Sequence, residues 1–160
     1  MRALPLEPTN LAMRRLGETS AAVVGSPALL RTLGRPKHPR DLEHFPTLSM
    51  TTAGDRYAWH FREQDGSPLA VNHVPRLMTD SFEALREAAV LGVGIGFLPY
   101  FVVQQHIESG HLEQVLPEFG LPGGLAHVVF PTRRGMVPAV RALIDALVEG
   151  FKDSGPKARW

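Results

Sequence analysis

The chain has 160 residues, of which 44% are hydrophobic and 21% are charged, and its formal net charge is +1. This length and composition fit one compact globular domain, and a near-neutral charge without a basic cluster argues against a nucleic-acid-binding surface on this chain. The absence of cysteine excludes disulfide frameworks, zinc ribbons and thiol nucleophiles.

Neither a membrane span nor an export signal is predicted. No apolar run approaches the roughly 20 residues that cross a bilayer. Residues 1–5 carry a charge, but they lack the long apolar core of a secretory signal. We therefore expect a cytoplasmic protein without a membrane partner.

Strand and helix patterns alternate along most of the chain. Short apolar or alternating segments predict strands at residues 11–17, 21–25, 47–51, 57–62, 69–77, 95–99, 112–116 and 125–130. Helical periodicity, caps or prolines at a helix start predict helices at residues 27–33, 38–42, 80–92, 101–108 and 137–151. The alternation, with one hairpin in the middle, predicts an α/β fold of open sheets.

A turn sequence and one proline refine the prediction for the middle of the chain. Asp65-Gly66 is typical of a tight hairpin turn. Pro75 lies within the returning strand, which predicts that this strand bends or lies at a sheet edge.

Residues 79–100 are the most informative stretch. Asp80 followed by Glu83 predicts a capped helix start, and a narrow, alanine-rich apolar stripe continues to residue 93. The following strand at residues 95–99 is short and apolar, as expected for a strand covered on both faces.

The glycines at positions 92, 94 and 96 do not predict a nucleotide site. A dinucleotide-binding fingerprint lies between a strand and the following helix, whereas these glycines follow a helix and precede a strand. We interpret them as a helix stop and as close-packing positions.

No catalytic or metal constellation is visible. The seven histidines are scattered without ligand spacing, and no serine lies in a G-x-S-x-G elbow. We therefore predict no enzyme activity, no metal and no cofactor.

Several segments, in order, resemble the effector-binding domain of LysR-type transcriptional regulators. The stretch "GVGIGFLP" at residues 92–99 is the strongest. It is joined by "LAMRRLG" at 11–17, "GRP" and "HPRDL" at 34–42, "WHF" followed by Gly66, and "RALID" at 141–145. The resemblance covers nearly the whole chain but only the later half of such a regulator.

The resemblance implies a periplasmic-binding-protein-like fold of two α/β subdomains joined by two crossing strands. The second subdomain is expected at residues 26–99. Residues 1–25 and 100–153 form an incomplete first subdomain, and residues 154–160 a disordered tail.

The resemblance also implies a small-molecule effector in the cleft between subdomains, and a role in transcription through a helix-turn-helix that this sequence does not contain. The start of the helix at Asp80 and Ser81 suits a carboxylate or another polar effector. The expected ligand-binding residues are Met50, Thr51, Thr52, Asp80, Ser81 and Phe97. For Trp59, a place in the hairpin core is favoured over a ligand platform.

The resemblance implies homo-oligomers, with the helix at residues 80–92 in the pairing surface. Two alternatives remain open at this point. One is a free-standing solute-binding protein of the same fold, which would need export; the other is a small α/β enzyme.

Overall fold

The computed structural model describes residues 11–51, 57–131 and 137–154. The strands are β1 (Leu11–Thr19), β2 (Ala21–Gly25), β3 (Thr47–Met50), β4 (Tyr57–Arg62), β5 (Pro68–His73), β6 (Pro75–Thr79), β7 (Ile95–Pro99), β8 (Glu113–Val115) and β9 (Gly124–Pro131). The α-helices are α1 (Pro27–Leu33), α2 (Phe82–Val90), α3 (Tyr100–Glu108) and α4 (Pro138–Ser154), and a 3-10 helix covers Pro39–His44. The predicted α/β class is confirmed.

The main sheet has five strands in the order β6-β3-β7-β2-β8. β3 pairs parallel with both β6 and β7, whereas β2 pairs antiparallel with β7 and β8. The central strand β7 has the predicted bounds, and its residues Ile95 and Leu98 are completely buried. The prediction of a strand covered on both faces is thus confirmed.

Two apolar clusters cover the two faces of this sheet. The hairpin cluster joins the sheet residues Val23 and Ile95 to Trp59, Phe61, Leu69 and Val71 of β4 and β5. The helix cluster joins Ala22, Val24, Leu48 and Leu98 to buried residues of α2 and α3. Trp59 is buried, so its predicted place in the hairpin core is confirmed.

The predicted hairpin forms, but the predicted strand at 69–77 is wrong as a single element. β4 and β5 pair antiparallel around a turn in which Gly66 has a φ of 83°, a left-handed conformation that glycine adopts without strain. The chain then breaks at Val74, which is 91% exposed, and β6 leaves the hairpin to become the edge strand of the main sheet. Pro75 begins that edge strand, as its missing N–H group allows.

The glycines after α2 have the predicted structural roles. Gly92 has a φ of 75° and follows the last residues of the helix, where a left-handed residue ends helices. A Cβ atom at Gly94 would lie 2.7 Å from the carbonyl oxygen of Pro46, so only glycine allows the two backbones to approach this closely.

A smaller assembly contains β1, β9 and α4. β1 and β9 pair antiparallel with a bulge between Arg15 and Gly17. β1 is longer than the short segment predicted, because its partner lies more than 100 residues away and leaves no local signal. α4 lies on one face of this two-stranded ribbon: Arg14 and Asp145 form an ion pair of 3.1 Å, and Gly17 leaves room for the ring of Phe151.

The Cα packing divides the chain into two compact units, one of residues 1–20 with 123–160 and one of residues 21–122. These units place α3 and β8 with the main sheet, whereas the family resemblance places them in the first subdomain. The subdomain boundaries therefore stay a prediction. α4 extends to Ser154, and the rest of the expected tail, residues 155–160, lies outside the described residues.

Candidate functional site

The parallel pairing of β6, β3 and β7 brings their carboxyl ends to one edge of the main sheet. Met50, the last residue of β3, is in register with Thr79, the last residue of β6. Thr51 follows Met50 directly in the chain, and Ser81 lies two residues after Thr79. Ligands of open α/β sheets usually bind beyond the carboxyl ends of the strands, so this edge is the candidate site.

Thr79 ties the two strand ends together, and sequence reasoning missed it. Its carbonyl oxygen accepts a hydrogen bond of 2.9 Å from the amide of Thr51, and its hydroxyl oxygen accepts one of 3.2 Å from the amide of Ser81. A threonine directly before Asp80-Ser81 was visible in the sequence, but its role depends on the parallel pairing of two strands separated by a hairpin. Thr51 and Ser81 are thereby both tied to the end of β6.

The predicted N-cap of α2 is wrong by one residue. The cap is Ser81, whose backbone is extended and whose hydroxyl oxygen accepts a hydrogen bond of 3.2 Å from the amide of Ala84. Asp80 is left exposed before the helix. Glu83 is consequently the second helical residue rather than the third, so the expected capping box does not form.

Glu83 places a negative charge at the start of α2. The Ser81 hydroxyl donates a hydrogen bond of 3.1 Å to Oε2 of Glu83. The pKa of Glu83 is lowered, first by its own backbone amide and then by this hydroxyl. The carboxylate therefore occupies donors that an anionic ligand would otherwise use.

The six predicted site residues fall into three groups. Thr51, Asp80 and Ser81 lie together at the carboxyl edge. Met50 packs against the helix cluster and Phe97 against the hairpin cluster, so these two side chains lie on opposite faces of the sheet. Thr52 lies outside the described residues.

A buried polar pair lies beneath the hairpin. Nδ1 of His73 is 2.7 Å from the hydroxyl oxygen of Thr47, and the His73 ring lies 4.5 Å from the ring of Trp59 between centroids. Burial lowers the pKa of His73 from 6.5 to about 4. Nε2 of His73 is buried and has no hydrogen-bond partner among the described residues. The imidazole is therefore neutral at pH 7 and serves as part of the core.

Metal binding and membrane crossing find no support in the part of the chain that the structure describes. Among residues 11–51, 57–131 and 137–154, no group of three or more histidine and acidic side chains could hold a metal ion. Within the same ranges, no helix is long and apolar enough to cross a membrane.

The family follows from the sequence match. The family of the LysR substrate binding domain matches residues 1–152 of the chain. The chain belongs to this family. The resemblance to LysR-type regulators in the sequence analysis is thus confirmed, and the mixed α/β architecture is the periplasmic-binding-protein-like fold of LysR regulatory domains.

Similar proteins include transcriptional regulators from several bacteria. This LysR domain is 32% identical over 129 residues to an HTH-type transcriptional regulator of Haemophilus influenzae, covering 81% of this chain and 44% of that protein. It is 29% identical over 148 residues to the HTH-type transcriptional regulator DmlR of Escherichia coli, covering 92% and 48%. The domain therefore spans less than half the length of these relatives.

A solved structure of the same family superposes well. The regulatory domain of CrgA, a LysR-type transcriptional regulator from Neisseria meningitidis, matches with a TM-score of 0.78 and 26% identity. The match covers 91% of this chain and 71% of the CrgA domain.

Proposed function

We propose that this LysR domain senses a small-molecule effector at the carboxyl edge of β3 and β6. In this proposal it acts in the cytoplasm as the ligand-binding part of a transcriptional regulator, binds rather than converts its effector, and reaches DNA through a helix-turn-helix outside this sequence. The family membership supports a sensing role, and the relatives are named as HTH-type regulators. The proposed location rests on one observation. Thr79 accepts hydrogen bonds from the backbone amides of both Thr51 and Ser81 and so holds these two residues together.

The chemistry of this edge suits a small polar molecule. The exposed Thr51 can donate and accept hydrogen bonds through its hydroxyl. The first amides of α2 point out of the helix, where the helix dipole favours a partial negative charge. In this proposal, Met50 provides apolar contacts to the effector. Phe97 lies on the other face of the sheet and contributes to the site as part of strand β7.

A screen of metabolites by thermal shift tests the proposal. We expect one chemical class to raise the Tm and to be recovered unchanged from the protein, because sensing requires binding without turnover. Recovery of a chemically altered product would refute a purely sensing role. If the whole panel leaves the Tm unchanged at millimolar concentrations, the proposed site is refuted for those classes.

Two variants locate the site once a ligand has been found. Thr51→Val and Ser81→Ala each remove a hydroxyl from the edge, and we expect each to weaken binding about 3- to 10-fold, which corresponds to one hydrogen bond. The matched control is Thr32→Val, because Thr32 is an exposed threonine on α1 whose hydroxyl donates to the carbonyl of Ala28. Unchanged affinity in both edge variants would place the ligand elsewhere.

A variant of Glu83 tests whether the effector is negatively charged. A carboxylate effector must displace the Glu83 side chain from the Ser81 hydroxyl and from its own amide. Glu83→Gln removes the competing charge, so we expect it to tighten binding of a carboxylate severalfold and to leave a neutral effector unaffected. Glu43→Gln, at an exposed position of the 3-10 helix Pro39–His44, is the control for a general change in net charge.

A further inference from the structure

A groove runs between α2 and α3. Buried residues of both helices, among them Leu85 and Val103, belong to the helix cluster on one face of the main sheet, so the two helices lie side by side. The groove between them has a volume of about 410 Å³ and lies wholly within the compact unit of residues 21–122. Pockets of this size bind small molecules, so a ligand the size of an amino acid can enter.

α2 gives the groove two opposite charges. Glu83 and Arg86 both line it, and residues three apart are neighbours on a helix surface. The carboxylate of Glu83 accepts a hydrogen bond of 3.1 Å from the Ser81 hydroxyl. Nε and Nη2 of Arg86 instead donate to Oε1 of Glu87, at 3.1 and 2.9 Å. Nη1 of Arg86 takes no part in that ion pair, so it can donate to a ligand.

α3 gives the groove an apolar surface and further polar groups. Phe101, Gln105 and Glu108 line it and are spaced by four and three residues, which places them on one face of the helix. The ring of Phe101 is 61% exposed and can cover an apolar group. The side-chain amide of Gln105 can both donate and accept hydrogen bonds. The carboxylate of Glu108 already accepts a hydrogen bond of 2.8 Å from Gln104.

These charges distinguish between classes of ligand. The carboxylates of Glu83 and Glu108 and the guanidinium of Arg86 line the groove together. A simple anion would be repelled by the two carboxylates, and a simple cation by the guanidinium. A molecule that carries one positive and one negative group can pair with both kinds of side chain, and hydrogen bonds between charged groups are the strong ones.

We propose that this groove binds an α-amino acid with an apolar side chain. Nη1 of Arg86 donates to the carboxylate of the ligand, the ammonium group of the ligand donates to Glu83, and the apolar side chain lies on the ring of Phe101. The groove is separate from the hydroxyls of Thr51 and Ser81, so the proposal does not depend on where an effector binds at the carboxyl edge.

A titration followed by nuclear magnetic resonance tests the proposal. L-Phenylalanine and L-leucine are the probes, added to the ¹⁵N-labelled chain at millimolar concentrations. We expect saturable shifts of the amide signals of Arg86 and of residues 101–108, and none at Thr51. Two analogues of phenylalanine each lack one charge: 3-phenylpropionate has no ammonium group, and phenethylamine has no carboxylate. Each analogue should bind the parent chain at least about tenfold more weakly, because one charged hydrogen bond is lost.

Three variants assign the contacts. Arg86→Gln should weaken L-phenylalanine at least about tenfold and leave the weak binding of phenethylamine unchanged, because only the carboxylate of the ligand contacts Arg86. Arg31→Gln, at an exposed position of α1, is the matched control and should have no effect. Thr51→Val should also leave L-phenylalanine binding unchanged, which separates this groove from the carboxyl edge.

Three results would overturn the proposal. The first is the absence of saturable shifts at residues 101–108 with both L-phenylalanine and L-leucine. The second is a set of shifts centred on Thr51 and Ser81, which would assign the ligand to the carboxyl edge. The third is equal affinity of the parent chain for L-phenylalanine and either analogue. This last comparison needs no variant, so it decides the matter even if Arg86→Gln does not fold.

Discussion

Lowering the pH is expected to destabilise the domain through His73. Its pKa lies at about 4 in the folded chain and at 6.5 in the unfolded chain, so the unfolded chain binds more protons below pH 6.5 and stability falls as the pH drops toward 4. A difference of 2.5 pKa units corresponds to about 3 kcal/mol when the pH is below both values. About 2 kcal/mol of this is lost between pH 7.5 and pH 5.

The structural cause is the burial of the imidazole against Trp59. A charged ring there would lose its hydration, and the nearest polar partner, the Thr47 hydroxyl, offers no negative charge. His73→Asn retains a side chain that can hydrogen-bond Thr47 but cannot titrate in this range. Its overall stability is expected to be lower because a cavity is left, while its pH dependence is expected to be flatter.

Urea unfolding followed by circular dichroism at pH 7.5, 6.5, 5.5 and 5 measures this difference. We expect the parent to lose about 2 kcal/mol more than His73→Asn over this range. His60→Asn, on the exposed side of β4, is the control and should lose as much as the parent. Parallel pH profiles for the parent and His73→Asn would refute the reasoning.

Three further predictions concern packing, capping and assembly. Gly94→Ala should destabilise the domain by about 2 kcal/mol in a urea titration, because the added Cβ atom would lie 2.7 Å from the Pro46 carbonyl oxygen. Gly25→Ala should cost much less in the same titration, because its Cβ atom would have only ordinary contacts from 3.4 Å outward. Ser26→Ala should cost about 1 kcal/mol, because it removes the oxygen that accepts from the amide of Leu29 at 3.2 Å; an unchanged urea midpoint would show that water replaces the cap. Sedimentation should show self-association at high concentration through a pairing surface that includes α2. Leu91→Asp should weaken this self-association. A clean monomer at millimolar concentration would contradict the prediction.

Elements with local signals were predicted closely. β4 and β7 have the predicted bounds, because turn residues and prolines within a few positions limit each of them. α1 begins after Ser26 and ends at Gly34 as predicted, since a side-chain cap and a proline act on their own helix start. These effects operate over fewer than five residues, so a single sequence reveals them.

The errors arose where distant contacts compete with local preference. Both Asp80 and Ser81 are good caps, and Ser81 is selected because its amide is held by Thr79 at the end of a strand paired with β3. The segment at 69–77 reads as one strand, but β6 pairs with β3 rather than with the hairpin. Neither choice can be read from neighbouring residues.

The sequence by itself determined the α/β class, the order of most elements and the resemblance to LysR regulators, because these depend on periodicity, turn chemistry and short motifs. The tertiary structure decided which predicted site residues share a location. It brings Thr51 and Ser81 to one edge, because parallel strands end on the same side of a sheet. It places Met50 and Phe97 on opposite faces of the sheet. Side chains alternate along a strand, and the register between strands determines the face on which each side chain lies.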